Sequence, residues 1–396
     1  MKGITRTVWI LSLVSLFTDT ASEMLYPIMP LYLKSIGFSI VVIGVLEGVA
    51  EATAGLSKGY FGKLSDNSGK RMPFVQWGYA LSAVSKPLMA LFITPVWVFI
   101  VRTIDRLGKG LRTGARDAVL SDEATPQTKG KVFGFHRSMD TLGAVLGPLL
   151  ALLYLQWHPQ DYKTLFFIAL APGLLAVTCS FLLKDKSVIP KPGETKVGFF
   201  SFLSYWKKSP ALYRQLVIGL LLFTLFNSSD VFLLLKAKQA GLNDSNVITV
   251  YIYYNLVYAI FAFQIGLLAD KMGLKKIFIT GLIIFSIVYA GMAFANQSFH
   301  FFILFFLYGL YAAATEGISK AWITNISSKS DIATAIGTYS AFQSICTMLA
   351  SSLAGLIWFQ FGPKVTFIIS AVATLGVVLY LFLVRQSDFT NNYSRR

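Results

Sequence analysis

Charged residues are scarce in this chain, and so are cysteine and histidine. Asp, Glu, Lys and Arg make up 14% of 396 residues against 55% hydrophobic, and the mean hydropathy is +0.62. So little charge excludes a soluble globular chain with a solvated surface. The three histidines, His136, His158 and His300, stand far apart, and both cysteines, Cys179 and Cys346, fall within apolar segments. That spacing excludes a His/Cys metal cluster and a disulfide framework, and leaves the cysteines as small packing residues. There is no nucleophile motif and no glycine-rich phosphate cradle, so neither an enzyme nor a cofactor is expected. Strand-like alternation of polarity is missing too, which excludes an outer-membrane barrel.

What the chain does have is long apolar runs. Stretches such as Leu165 to Leu183, Leu216 to Leu235 and Val365 to Val384 suffice to cross a hydrocarbon core of roughly 30 Å as helices. Spans are expected near 8–33, 40–62, 73–93, 95–118, 132–156 and 164–184, and then near 212–237, 246–268, 276–296, 299–323, 333–360 and 363–385. The first is longer than a signal-peptide core of roughly 7–15 residues and is expected to be retained. Residues 185–211, with Pro190, Pro192, Gly193 and Pro210 among lysines, form the one long polar break. The chain therefore divides into a six-helix bundle at 1–184, a linker at 185–211 with a short surface helix near 199–206, and a second six-helix bundle at 212–396.

The net charge of +16 is dispersed over alternate loops, with Lys63, Lys70 and Arg71, then Lys129 and Lys131, then the linker lysines, then Lys271, Lys275 and Lys276. The positive-inside rule places those loops, the linker and both termini on the cytoplasmic side of the cell's inner membrane. Scattered bases make no single patch for nucleic acid, so the extended partner is the lipid bilayer.

A repeat supports the division into halves. Gly62-Lys63-Leu64-Ser65-Asp66-Asn67-Ser68-Gly69 recurs as Gly266-Leu267-Leu268-Ala269-Asp270-Lys271-Met272-Gly273. Gly37 and Gly241 share the same offset of 204 residues, and Gly134 and Gly337 are 203 apart. One register shared across several helices implies two halves of like topology.

These residues resemble the major facilitator superfamily over nearly the whole chain. Gly62, Leu64, Asp66, Gly69, Lys70 and Arg71 match that superfamily's G-x-L-a-D-r-x-G-r-k loop, with Asn67 in place of the usual arginine. In the fifth helix Gly143, Gly147 and Pro148 resemble the G-x-x-x-G-P-x-x-G segment of drug and proton antiporters, with Ala151 replacing the last glycine. The resemblance implies twelve helices in two pseudo-symmetric bundles, a monomer, alternating access, and a gate to which Gly62, Asp66, Gly69, Arg71, Asp270 and the fifth-helix residues belong. Asp66 is suited to cap a helix N-terminus or to pair with a base. Arg116 and Asp117, near the same end, are assigned to that gate.

Ionisable residues at membrane depth are costly, so each is a functional candidate. Asp19 and Glu23 stand at i, i+4 on the first helix, and Glu47 and Glu51 on the second, each pair on one face. Arg102, Asp105, Arg106 and Lys109 crowd the fourth helix, and Arg137 and Asp140 stand at i, i+3 on the fifth. Asp19, Glu23, Glu47, Glu51, Arg102 and Asp105 are read as proton-coupling groups, with a structural ion pair as the alternative. Lys86 beside Pro87 is left open between a role inside the bundle and the ordinary outward snorkelling of a lysine. The second half is different. Asn227 and Asp230 make a polar patch on the seventh helix, Tyr251, Tyr254 and Asn255 enrich the eighth, and Glu316 stands on the tenth. These, with Arg106, Lys109, Arg137 and Asp140, are the expected substrate contacts, and helix packing is the alternative for the tyrosines.

The function expected is secondary active transport of a small organic solute, by proton-coupled export. Uptake or exchange of an organic anion or a metal chelate such as a siderophore is the alternative, with the fourth-helix bases receiving the negative charge. A non-transporting receptor or a scramblase is the alternative of another class.

Overall fold

The computed structural model describes residues 4–26, 28–38, 40–185, 198–242 and 244–384. The side chain of Glu47, the linker segment 186–197 and the chain end from 385 lie outside the described residues. The protein is an all-α polytopic membrane protein of twelve helices in two pseudo-symmetric six-helix sets. In chain order these are α1 (Arg6–Leu25), α2 (Ile40–Ser68), α3 (Met72–Met89), α4 (Pro95–Asp122), α5 (Lys129–Trp157), α6 (Tyr162–Ser180), α7 (Ala211–Gln239), α8 (Asp244–Met272), α9 (Leu274–Phe294) and α10 (Ser298–Ile326). The last two, α11 (332–361) and α12 (363–383), run on from each other through Gly362. Eight segments are apolar enough to span by composition, and the last of these contains two helices. Of the other three, α3 and α4 are long enough but more polar, whereas α2 opens on an apolar stretch from Ile40.

Local chemistry sets most of the ends. Thr5 opens α1 by accepting the Val8 N–H at 3.3 Å, and Pro95 starts α4, where a missing donor costs nothing. The first span is shorter than 8–33: α1 stops at Leu25 and a separate helix, Met29–Ser35, follows. At the junction of α11 and α12, Gly362 takes φ +81° beside Pro363. The linker helix is Leu203–Lys208.

The repeated glycines share backbone conformation as well as register. Gly37 and Gly241 take φ +93° and +97°, and Gly69 and Gly273 take +65° and +99°. These are left-handed values that residues with a Cβ rarely adopt.

The chain forms two compact units, 1–125 with 135–205 and 329–341, and 126–134 with 206–328 and 342–396. The start of α11 thus belongs to the first unit and the start of α5 to the second. In the first unit α4 packs chiefly on α2 and α3. Its glycines permit this: a Cβ on Gly108 would lie 2.7 Å from the Gly78 carbonyl oxygen, and one on Gly110 would lie 1.8 Å from Ser57 Oγ. In the second unit α10 packs on α8 and α9, and Gly309 meets the Tyr254 carbonyl.

Candidate functional site

Close approach of α4 to α3 brings charge into the first unit. Asp105 accepts hydrogen bonds from Ser82 Oγ at 2.8 Å and Ser85 Oγ at 3.3 Å. Lys86 Nζ lies 3.8 Å from its Oδ1 and Arg102 3.6 Å from its Oδ2. Lys86 does not snorkel outward: it is 5% exposed and donates to the Ser82 carbonyl at 2.8 Å. The sequence signal was Ser82, Ser85 and Lys86 at helical spacing, one face of α3 able to hold a carboxylate. Arg112 stacks on the Tyr79 ring at 4.6 Å.

A cleft of about 60 Å³ opens beside this cluster, room for roughly two waters. Asp19, Glu23, Arg106 and Lys109 line it together with Lys86 and Asp105. Lys109 feels Arg106, Glu51, Asp19 and Glu23 most strongly, so α1, α2 and α4 contribute to one network. Asp140 extends it from α5, accepting from Ser15 Oγ at 2.5 Å and Arg137 at 2.5 Å while acting on Asp19. The small residues of α5 make this possible. A Cβ on Gly143 would lie 2.4 Å from the Leu16 carbonyl oxygen, and one on Gly147 would lie 2.6 Å from the Thr20 carbonyl and the Met24 nitrogen. Those two glycines, the second directly before Pro148, let α1 lie against α5 at the level of Asp19 and Glu23.

At the end of α2, Asp66 Oδ2 accepts from the Thr334 N–H and the Thr334 hydroxyl, both at 2.7 Å, in the first turn of α11. Its Oδ1 makes no hydrogen bond but faces Arg71 at 3.8 Å. Arg71 is held in turn by Asp122 and by the Lys329 carbonyl at 3.3 Å. A helix of 29 residues is about 43 Å long, well beyond the hydrocarbon thickness, so Asp66 in its last turn lies outside the apolar layer. Burial raises its pKa to about 7, against the lowering effects of Arg71 and Thr334. Gly62 meets the Ala333 carbonyl and Gly337, which lets the two backbones touch. Arg116 pairs with Asp117 at 2.9 Å, and the charges acting on Asp66 are Arg71 and Asp331.

The second unit repeats this contact. Asp270 accepts from the Gly130 and Lys131 N–H groups at 2.7 and 2.8 Å, in the first turn of α5, while Gly266 meets Gly130 and Gly134. Both carboxylates satisfy orphan donors at the positive end of a helix dipole.

Elsewhere the second unit is aromatic. The seventh span is not one helix: it stops at Phe226 and resumes at Val231. Asn227-Ser228-Ser229-Asp230 puts four side chains that compete for backbone hydrogen bonds in a row. Asp230 accepts from Tyr254 Oη at 2.5 Å and Tyr308 Oη at 2.6 Å. Asn227 Nδ2 donates to Tyr311 Oη at 3.0 Å, and Ser228 Oγ meets Tyr289 Oη at 3.2 Å. Tyr251 packs on Tyr254 at 5.5 Å, Asn255 bonds back to the Tyr251 carbonyl, and Glu316 acts on both Asp230 and Tyr311. Tyr289, Tyr308 and Tyr311 were not singled out in the sequence. Tyr308 and Tyr311 at i, i+3 were visible but sit in an unbroken aromatic run.

The description Major Facilitator Superfamily matches residues 11–253 and 234–395. An uncharacterised MFS-type transporter of Methanocaldococcus jannaschii is 33% identical over 389 residues, 96% of each chain. A multidrug resistance efflux pump PmrA homolog of Lactococcus lactis is 22% identical, covering 88% of this chain and 87% of its own. Among solved structures, the human organic anion transporter MFSD10 aligns with a TM-score of 0.81 at 16% identity, covering 96% of this chain and all of its own. The E. coli fucose:proton symporter FucP aligns with 0.79 at 12%, covering 97% and 100%. The likeness to the two solved structures is one of fold. Repeat, fold and sequence agree that the chain belongs to the major facilitator superfamily, as a multi-pass membrane transporter.

Proposed function

We propose that the protein exports a small organic solute in exchange for protons, by alternating access, from a cytoplasmic membrane in which both termini face the cytoplasm. The observation that carries this is the gathering of Asp19 and Glu23 with Arg106 and Lys109 at a small cleft of the first unit, with Asp140 acting on both carboxyls from α5. Carboxylates in close contact with one another and with movable cations hold a proton in one arrangement and release it in another. The capped first turns of α5 and α11 are the gate in this reading. The weak likeness to multidrug efflux pumps supports export. The experiment is reconstitution in liposomes with an internal pH dye and addition of cations, neutrals and carboxylates of one molecular size. Proton counterflow with a solute, lost in Asp19→Asn and Glu23→Gln, is the expected result. Flux that ignores the pH gradient overturns the coupling.

A second reading, uptake or exchange of an organic anion, is favoured by one feature. Lys86, Arg102, Arg106, Lys109 and Arg112 line the cleft against Asp19, Glu23 and Asp105, an excess of positive charge. A response confined to carboxylates in the same assay selects it.

A further inference from the structure

We propose that the break in α7 seats a protonated amine, so that the exported solute carries an ammonium group which binds Asp230. The inference rests on the transport reading above for the solute's being cargo; the seat itself rests on the geometry of the second unit.

Three features converge on one ligand chemistry. Asp230 is half-buried, and each of its oxygens takes one phenolic proton, from Tyr254 and from Tyr308. Phenols orient a carboxylate but leave its charge in place, and the charged neighbour acting on it is a second carboxylate, Glu316. Among the described residues no lysine or arginine pairs with Asp230, whereas Asp66, Asp105, Asp117, Asp122 and Asp140 each face a base. The second feature is Asn227. Its Nδ2 is taken by Tyr311, and its Oδ1 is buried with no hydrogen-bond donor. The third is the ring cluster, with Tyr254 and Tyr308 centred 5.3 Å apart and Tyr308 and Tyr311 5.2 Å apart.

A carboxylate, an open amide oxygen and ring faces are all electron-rich. Their complement is a cation that donates hydrogen bonds, and aromatic faces add attraction for such a cation. An anionic solute would meet like charge here. An uncharged acceptor would find the phenolic protons already given to Asp230. A proton on Asp230 would neutralise it but would leave Asn227 Oδ1 without a donor, and a buried acceptor left so is costly.

The test uses the purified full chain in detergent and four probes on one body: 2-phenylethylamine, its trimethylammonium derivative, 2-phenylethanol and 3-phenylpropanoate. Binding is read by equilibrium dialysis, separately from proton movement in liposomes. The amine is expected to bind, the trimethylammonium form more weakly for lack of N–H donors, and the alcohol and carboxylate least. Asp230→Asn should weaken the amine roughly 10- to 100-fold, as for loss of a charge-assisted hydrogen bond. Tyr308→Phe, which keeps the ring, controls for folding and should weaken it less. No binding of the amine, or equal binding by wild type and folded Asp230→Asn, overturns the seat. If proton-coupled flux of other solutes persists in that case, the transport reading stands alone. Amine binding that depends on Asp230 without any proton movement has the opposite meaning: the seat holds and the coupling fails.

Discussion

The two units treat buried charge in opposite ways. In the first, Asp105 is surrounded by Ser82, Ser85, Lys86 and Arg102, and Asp140 by Ser15 and Arg137. In the second, Asp230 has two phenols and no base among the described residues. Removing an ion from water costs several kcal/mol, and only a well-made set of partners offsets it. A network with its own counter-ions can change partners without a visitor, which suits proton traffic. A carboxylate without one is completed by something that arrives. In the function proposed here, the first arrangement serves coupling and the second serves selection.

The sharpest way to break that contrast is to remove one charge from each. Lys86→Met takes away one of the two cations that face Asp105, leaving Arg102, and should lower stability by about 2 kcal/mol, since the carboxylate loses part of its compensation. Asp230→Asn strands no cation, keeps an acceptor for one tyrosine and offers N–H donors to the phenolic oxygen of the other, so its cost should be within about 1 kcal/mol. Thermal unfolding in detergent compares the two. Equal losses would mean that the second unit also relies on its carboxylate for folding.

A second contrast concerns backbone contact. Gly143→Ala places a methyl group against the α1 backbone at 2.4 Å. It should cost roughly 2–3 kcal/mol, the upper part of the range for overpacking, and should reduce coupled flux by displacing Asp19. Gly376→Ala in α12 meets nothing within 4 Å and should be neutral or mildly stabilising, as alanine suits a helix interior better. A large loss at Gly376, or none at Gly143, would show that helix contact in the first unit is looser than its geometry implies.

The fold was legible in the sequence because membrane thickness fixes span length and because the repeat set the register. Gly62, Asp66 and Gly69 recur as Gly266, Asp270 and Gly273, and the same contacts recur with them. The break in α7 was not legible. Asn227 to Asp230 reads equally well as a polar face on a continuous helix, and what decides is whether Tyr254, Tyr289, Tyr308 and Tyr311 are there to satisfy the unwound groups. Lys86 was left open in the sequence for a related reason. Snorkelling is the usual fate of a lysine near a helix end, and only the placement of Asp105 on a neighbouring helix keeps it inside. Spacing within one helix is readable; what faces it from another helix depends on packing.

The smallest effect expected concerns the cap at Asp66. Asp66 is 4% exposed and burial raises its pKa to about 7, whereas a solvated aspartate titrates near 3.9. If α11 lifts away from Asp66, the carboxyl returns to water and loses that shift. The capped state therefore binds a proton more tightly than the open one. By linkage the capped state is favoured as pH falls through 7 and loses that advantage as pH rises above it. Between pH 8 and pH 6 the gain should be about 1.4 kcal/mol, a factor of ten in the opening equilibrium. Hydrogen exchange of the Thr334 amide, corrected for its intrinsic rate, should slow by about that factor on acidification, and Asp66→Asn should remove the dependence. Exchange that speeds up on acidification would mean that the ionised carboxylate, held by Thr334 and Arg71, is what closes the cap. In that case protons would open this end of the molecule, and the gate would be coupled to the proton gradient with the opposite sign.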